Sequence, residues 1–123
     1  LSPAKVLCLG AGAILLVEGT AILVFTAAGF SLPGSGWHQL IHIVSGLVLI
    51  AAGLAGGSAA VAAALVFGAG YLVLSLSGLI DGDTVLGLFE TYPADQALHA
   101  LLGVAAIGAA LLSRPSALPE ARS

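Results

Sequence analysis

The stretch Val6–Phe30, VLCLGAGAILLVEGTAILVFTAAGF, runs for 25 residues with a single charge, Glu18. As an α-helix rising about 1.5 Å per residue it spans roughly 37 Å, enough to cross a hydrocarbon core of about 30 Å. Barrel strands are much shorter and alternate apolar with polar residues, so an unbroken apolar run of this length reads as a helix. Three more such runs follow, at Trp37–Leu54, Ser58–Ile80 and Ala97–Ser113. Pro93 and Asp95 are helix-starting residues and carry the last helix back to about residue 94.

Turn chemistry separates the runs. Ser31-Leu32-Pro33-Gly34-Ser35-Gly36 fills the first break, with Ser35 placed as the cap of the second helix, and Gly53–Ser58 makes a tight hairpin. The third break, Asp81–Gln96, holds Asp81, Asp83, Glu90 and Asp95, and its apolar Val85–Phe89 is expected to lie along the membrane surface. The sequence thus predicts an all-α membrane protein: a four-helix transmembrane bundle over residues 1–113, with helices at about 6–30, 37–54, 58–80 and 94–113. A polar tail follows at 114–123.

Composition agrees. The 123 residues are 59% hydrophobic and 7% charged, with a mean hydropathy of +1.15. Soluble domains carry about a quarter charged residues, so the outside of this one must face lipid. Lys5, Arg114 and Arg122 are the only basic residues and the net charge is −3. Nucleic-acid binding needs a basic patch and is excluded. All three basic residues lie on the tails, and the positive-inside tendency then places both termini in the cytoplasm of a multi-pass cell-membrane protein. Trp37 and Tyr92 flank helix starts, where aromatic rings favour the headgroup level. Glu18 interrupts a stretch longer than a signal-peptide core, so the first segment is expected to be a retained helix. Cys8 is the only cysteine, reads as a small buried thiol, and excludes an intrachain disulfide.

The chain also resembles itself. His38-Gln39-Leu40-Ile41-His42-Ile43-Val44-Ser45-Gly46 aligns with Asp95-Gln96-Ala97-Leu98-His99-Ala100-Leu101-Leu102-Gly103 at an offset of 57 residues. Gly10-Ala11-Gly12 and Gly68-Ala69-Gly70 repeat at an offset of 58. The bundle is therefore expected to be two tandem two-helix repeats, related by an axis along the membrane normal. Gly53-x-x-x-Gly57, Ala105-x-x-x-Ala109 and the Gly-Ala-Gly runs are expected to let helices pack closely.

Two places could carry chemistry. His38 and His42 share one face of the second helix, and the repeat sets His99 at the place of His42. The topology puts all three at the outer helix ends, with Asp95 one turn before His99 as a hydrogen-bond acceptor behind it. Imidazoles converging from two helices can hold a divalent metal, a haem or a chlorin. They can also simply bond to loop carbonyls. Glu18 is the second place. A carboxylate near mid-bilayer must be neutral, paired or in a wet cavity, and it serves either proton or cation coupling or a bond to Ser75, Ser77 or a helix-three carbonyl. No nucleophile–base pair is visible, so no enzyme activity is expected.

At its histidine segments the chain resembles an uncharacterised membrane family, domain of unknown function 4383. That family is similar in its four hydrophobic helices, with His-Asn-x-x-His opening the second and Pro-Ala-Asp-Asn-x-x-His opening the fourth. The matching residues are His38-Gln39-Leu40-Ile41-His42 and Pro93-Ala94-Asp95-Gln96-Ala97-Leu98-His99, followed by Leu101-Leu102-Gly103. Glutamine replaces asparagine in both. The resemblance implies a fold and a membrane location, and no activity. Separately, Leu9 to Thr20 looks like the first helix of small multidrug resistance transporters, which implies a proton- and cation-binding role for Glu18. The spacing from the glutamate to Gly19-Thr20 is shorter here, and the aromatic residues of the transporter pocket are absent.

Three functions follow as expectations. The first is a non-catalytic accessory or structural subunit of a membrane complex, self-associating or joined to other subunits, with a metal, haem or chlorin at His38, His42 and His99. The second is a proton-coupled small transporter using Glu18. The third is a small haem- or pigment-binding redox protein.

Overall fold

In the computed structural model the described residues are 1–31, 36–82, 84–85, 89–90 and 93–113. They form α1 (Pro3–Ala27), α2 (Trp37–Ala55), α3 (Gly57–Asp81), β1 (Thr84–Val85), β2 (Phe89–Glu90) and α4 (Pro93–Leu112). Each helix is long and apolar enough to cross a membrane. Large apolar side chains such as Ile14, Val17, Val66, Leu79, Leu101 and Leu112 point outward from the bundle. Lipid is the solvent that tolerates such a surface, and the chain is a four-helix membrane protein.

Local chemistry sets the helix ends. α1 starts three residues ahead of its apolar run because Pro3 opens it and the Ser2 side chain accepts from the Lys5 N–H. α2 is capped by Gly36 at φ 78, not by Ser35, which lies outside the described residues. The hairpin between α2 and α3 narrows to Gly56 and Gly57, both at positive φ (69 and 53). A turn this short needs left-handed backbone at both places, which glycine supplies without steric cost. Gly57 therefore opens α3 and is not part of a packing motif with Gly53. The break between α3 and α4 departs from a simple surface-lying segment: its ends pair antiparallel, Thr84 with Glu90 and Val85 with Phe89. Residues 86–88, Asp83, Tyr92 and the tail 114–123 lie outside the described residues.

Buried positions recur at three- and four-residue spacing. In α1 they are Ala4, Cys8, Gly12, Leu15 and Gly19, in α2 His38, His42, Gly46, Leu49 and Gly53, and in α4 His99, Gly103, Ala106 and Ala110. This spacing keeps one narrow stripe turned inward along each helix. In α4 the stripe uses Ala106 and Ala110, whereas Ala105 is exposed and Ala109 only half-buried.

The helices pack mainly in chain-order pairs, α1 on α2 and α3 on α4, with sparser contacts between the pairs. A side-chain carbon on Gly12 would stand 2.9 Å from the Gly46 carbonyl oxygen, and one on Gly46 would stand 2.8 Å from that of Gly12. The second pair crosses in the same way, with 2.8 Å from Gly68 to the Gly103 oxygen and 2.9 Å in return. Gly12 thus corresponds to Gly68, two residues out of step with the Gly-Ala-Gly alignment. Gly10 and Gly70 meet nothing within 4 Å, so half of each run faces outward.

Candidate metal centre

Helix α2 enters the bundle with His38 and His42 on its inward stripe, and the matching stripe of α4 carries His99. All three are buried, at 7%, 5% and 4% exposure. Their rings pack edge to face, with centroids 4.3 Å apart for His38–His42, 5.9 Å for His38–His99 and 6.5 Å for His42–His99. Each can offer one nitrogen such that the three donor atoms lie within 4.8 Å of one another. A tetrahedral ion with bonds of about 2.0–2.1 Å needs donors roughly 3.4 Å apart, so small side-chain rotations complete the set.

The sequence placed Glu18 apart from the histidines, and the structure brings it to them. Gly19 lets α1 approach α2 so closely that an added carbon there would sit 3.1 Å from the Gln39 carbonyl. One residue earlier, the Glu18 carboxylate reaches to 3.6 Å from His42 Nδ1 while its side chain stays 45% exposed. Ser75 and Ser77 are not its partners. The Ser75 hydroxyl donates to the Gln96 carbonyl at 3.0 Å, and the Ser77 hydroxyl donates to Asp81 at 3.3 Å.

These residues line a cavity of about 140 Å³ that draws on all four helices: Glu18 from α1, His42 from α2, Tyr71 from α3, and Asp95 and His99 from α4. Leu15, Leu98 and Leu102 close its apolar side. Asp95 is within electrostatic reach of both His42 and His99. The acceptor role expected for it is not seen at His99 Nδ1, which finds no hydrogen-bond partner among the described residues. His42 Nδ1 likewise has none, and the Tyr71 hydroxyl has the Ser45 side chain near it but not in good hydrogen-bond geometry. Buried polar atoms are satisfied in the great majority of structures, so an unsatisfied group concentrated at one place marks a site for something else.

Sequence reasoning passed over Tyr71 and the role of Gln96. Tyr71 is 4% exposed, stacks on Phe67 at 4.2 Å and meets His99 edge-on at 5.0 Å. Its signal was a phenol in the middle of a 25-residue apolar helix, where a hydroxyl is costly unless used. Gln96 is structural: its amide donates to the Gly82 carbonyl at 3.3 Å, and its side chain fills the space that glycine leaves at Gly78.

Chemically, the pocket offers three imidazoles, a carboxylate beside one of them, a second carboxylate near two of them, and a phenol. It lacks thiols and thioethers, since Cys8 bonds to the Ala60 carbonyl at 3.4 Å and the chain has no methionine. Nitrogen and oxygen donors suit zinc-like divalent ions, whereas soft ligands select copper(I). A tetrapyrrole does not fit. Organic ligands occupy pockets of about 300–1,000 Å³, and the rings of His38 and His42 already touch.

No curated protein and no solved structure matches the chain. The model of the family described as Domain of unknown function (DUF4383) matches residues 24–112. That match takes in all three histidines, Tyr71 and Asp95, begins after Glu18, and covers most of the chain, which belongs to the DUF4383 family.

Proposed function

We propose that this is a non-catalytic membrane protein that holds a divalent transition-metal ion, of the zinc type, at His38, His42 and His99. The convergence of three buried imidazoles from two helices, donors within 4.8 Å of one another, carries the reading. An ion of charge +2 on three neutral ligands is unfavourable in a low-dielectric bundle, and Glu18 and Asp95 supply the compensating charge nearby. The match of Gly12–Gly46 to Gly68–Gly103, and of His42 to His99, supports a bundle of two tandem repeats whose halves meet at the ion. We place both termini in the cytoplasm of the cell membrane, which puts the ion in the outer half of the bilayer. As a non-catalytic component it associates with other membrane proteins or with itself.

The test is metal content. After loading with Zn²⁺ in detergent and desalting, the wild-type protein retains one equivalent per chain, while His42→Ala and His99→Ala retain almost none. Equal retention by wild type and both variants would overturn the reading. The transporter alternative rests on Glu18 at the edge of the cavity. Its test is a lipophilic cation, whose binding should vanish in Glu18→Gln if that reading holds. The small cavity argues against a drug-sized guest.

A further inference from the structure

Three imidazoles leave a four-coordinate ion one position short, and the side of the site facing the cavity is where it falls. The Tyr71 hydroxyl is the informative group. It is buried and lines the cavity, and although the Ser45 side chain stands near it, no described residue meets it in good hydrogen-bond geometry. An ion on the histidine nitrogens satisfies His42 and His99 but does nothing for a neutral phenol, which is a poor ligand and a good donor. The Glu18 carboxylate lines the same cavity, 3.6 Å from His42 Nδ1, and can accept a further hydrogen bond. A volume of about 140 Å³ is several times what one water needs and well below what an organic ligand needs.

We propose that the ion keeps one position open to this cavity and that a water molecule fills it, hydrogen-bonded by Tyr71 and Glu18 and exchangeable for a small monovalent anion. The inference rests on the metal reading above. Water accepts from the phenol and donates to the carboxylate, so both groups are satisfied at once. An anion taking its place as a ligand keeps the phenol's hydrogen bond but meets Glu18 as a like charge. Tyr71 therefore favours an incoming anion and Glu18 opposes it. No electron or covalent bond within the protein changes in the exchange.

Other hollows carry less. The hollow of about 450 Å³ on α1 is lined by Ala13, Ile14, Val17 and Glu18 from that single helix. The larger one near Lys5 and Ser58 lies at the opposite end of the bundle and shows no buried, unpartnered group aimed into it.

The experiment uses the full chain in detergent with cobalt(II) in place of zinc, because the visible absorption of cobalt(II) reports its ligands. Sodium azide is the probe. Wild type should take one cobalt per chain and show a saturable spectral change with azide. Tyr71→Phe should keep the cobalt but bind azide about tenfold more weakly, the loss of one hydrogen bond to a charged group. Glu18→Gln should hold cobalt more weakly but, brought to full occupancy with excess cobalt, bind azide about threefold more tightly, since a like charge is gone. Opposite signs from two variants lining one cavity are not expected from general loosening of the fold. A cobalt spectrum indifferent to azide at full occupancy would overturn the proposal, because a protein ligand would then hold the fourth position. So would variants that shift azide binding in the same direction. Failure to take up any cobalt would instead sink the metal reading itself, and this one with it.

Discussion

His99 is more buried than most apolar residues of the bundle, yet its Nδ1 has no hydrogen-bond partner among the described residues. Leaving such an atom unsatisfied costs about 1–3 kcal/mol, and an apolar residue of similar size would avoid the cost. His99→Leu should therefore leave the metal-free protein as stable as wild type or up to about 2 kcal/mol more stable in a denaturant titration. The same substitution should abolish stabilisation by zinc, which for wild type at a hundredfold excess over Kd is about 2.7 kcal/mol. Lower stability without metal, with the zinc effect intact, would mean that His99 serves packing alone. Glu18 follows related logic. It sits half-exposed beside His42, and Glu18→Gln should weaken zinc retention without emptying the site, since it removes charge compensation rather than one of the three imidazoles. Metal analysis across a chelator series would show this as loss at lower chelator concentration.

At the scale of the helix, contact is governed by where a side chain is missing. Gly46→Ala puts a carbon 2.8 Å from the Gly12 carbonyl oxygen and 2.8 Å from the Leu16 nitrogen, both rigid backbone. The helices must separate, at a cost of about 2 kcal/mol in thermal or denaturant unfolding. Gly10→Ala meets nothing within 4 Å and should be neutral or slightly stabilising, because alanine favours helix. Equal effects from the two would contradict the crossing described for α1 and α2. The contrast also shows what the sequence could and could not say. The apolar runs made the four spans plain, because length against bilayer thickness needs no tertiary information. Which glycine of Gly10-Ala11-Gly12 packs depends on helix rotation, and a helix apolar all round gives no amphipathic signal to fix it. The alignment of the two Gly-Ala-Gly runs consequently came out two residues off. The site was partly legible for the same reason. His42 and His99 were matched by their flanking Gln and Gly, but Glu18 and Tyr71 have leucines, Leu74 and Leu15, at the positions the crossing pairs with them.

Across the whole molecule, two helical pairs with tight internal crossings meet through sparser contacts, and the histidine cluster lies between them. His38 and His42 belong to the first pair and His99 to the second, so an ion held there, as proposed, would join the halves at their weakest seam. The end of the bundle away from the histidines is held differently, by the Ala4 N–H donating to the Ser113 hydroxyl at 2.8 Å, which ties the start of α1 to the end of α4. If both termini lie in the cytoplasm, as proposed, a reporter enzyme active only outside the cytoplasm should be silent when fused after Ser123. Activity there would invert the bundle and place the ion in the inner half.

X-ray absorption at the zinc edge of the loaded, desalted protein tests the central claim most directly. The account requires a first shell of three imidazole nitrogens and one oxygen at about 2.0–2.1 Å, with the multiple scattering that imidazole rings produce. A shell made only of oxygen, or one with fewer than two imidazoles, would contradict it.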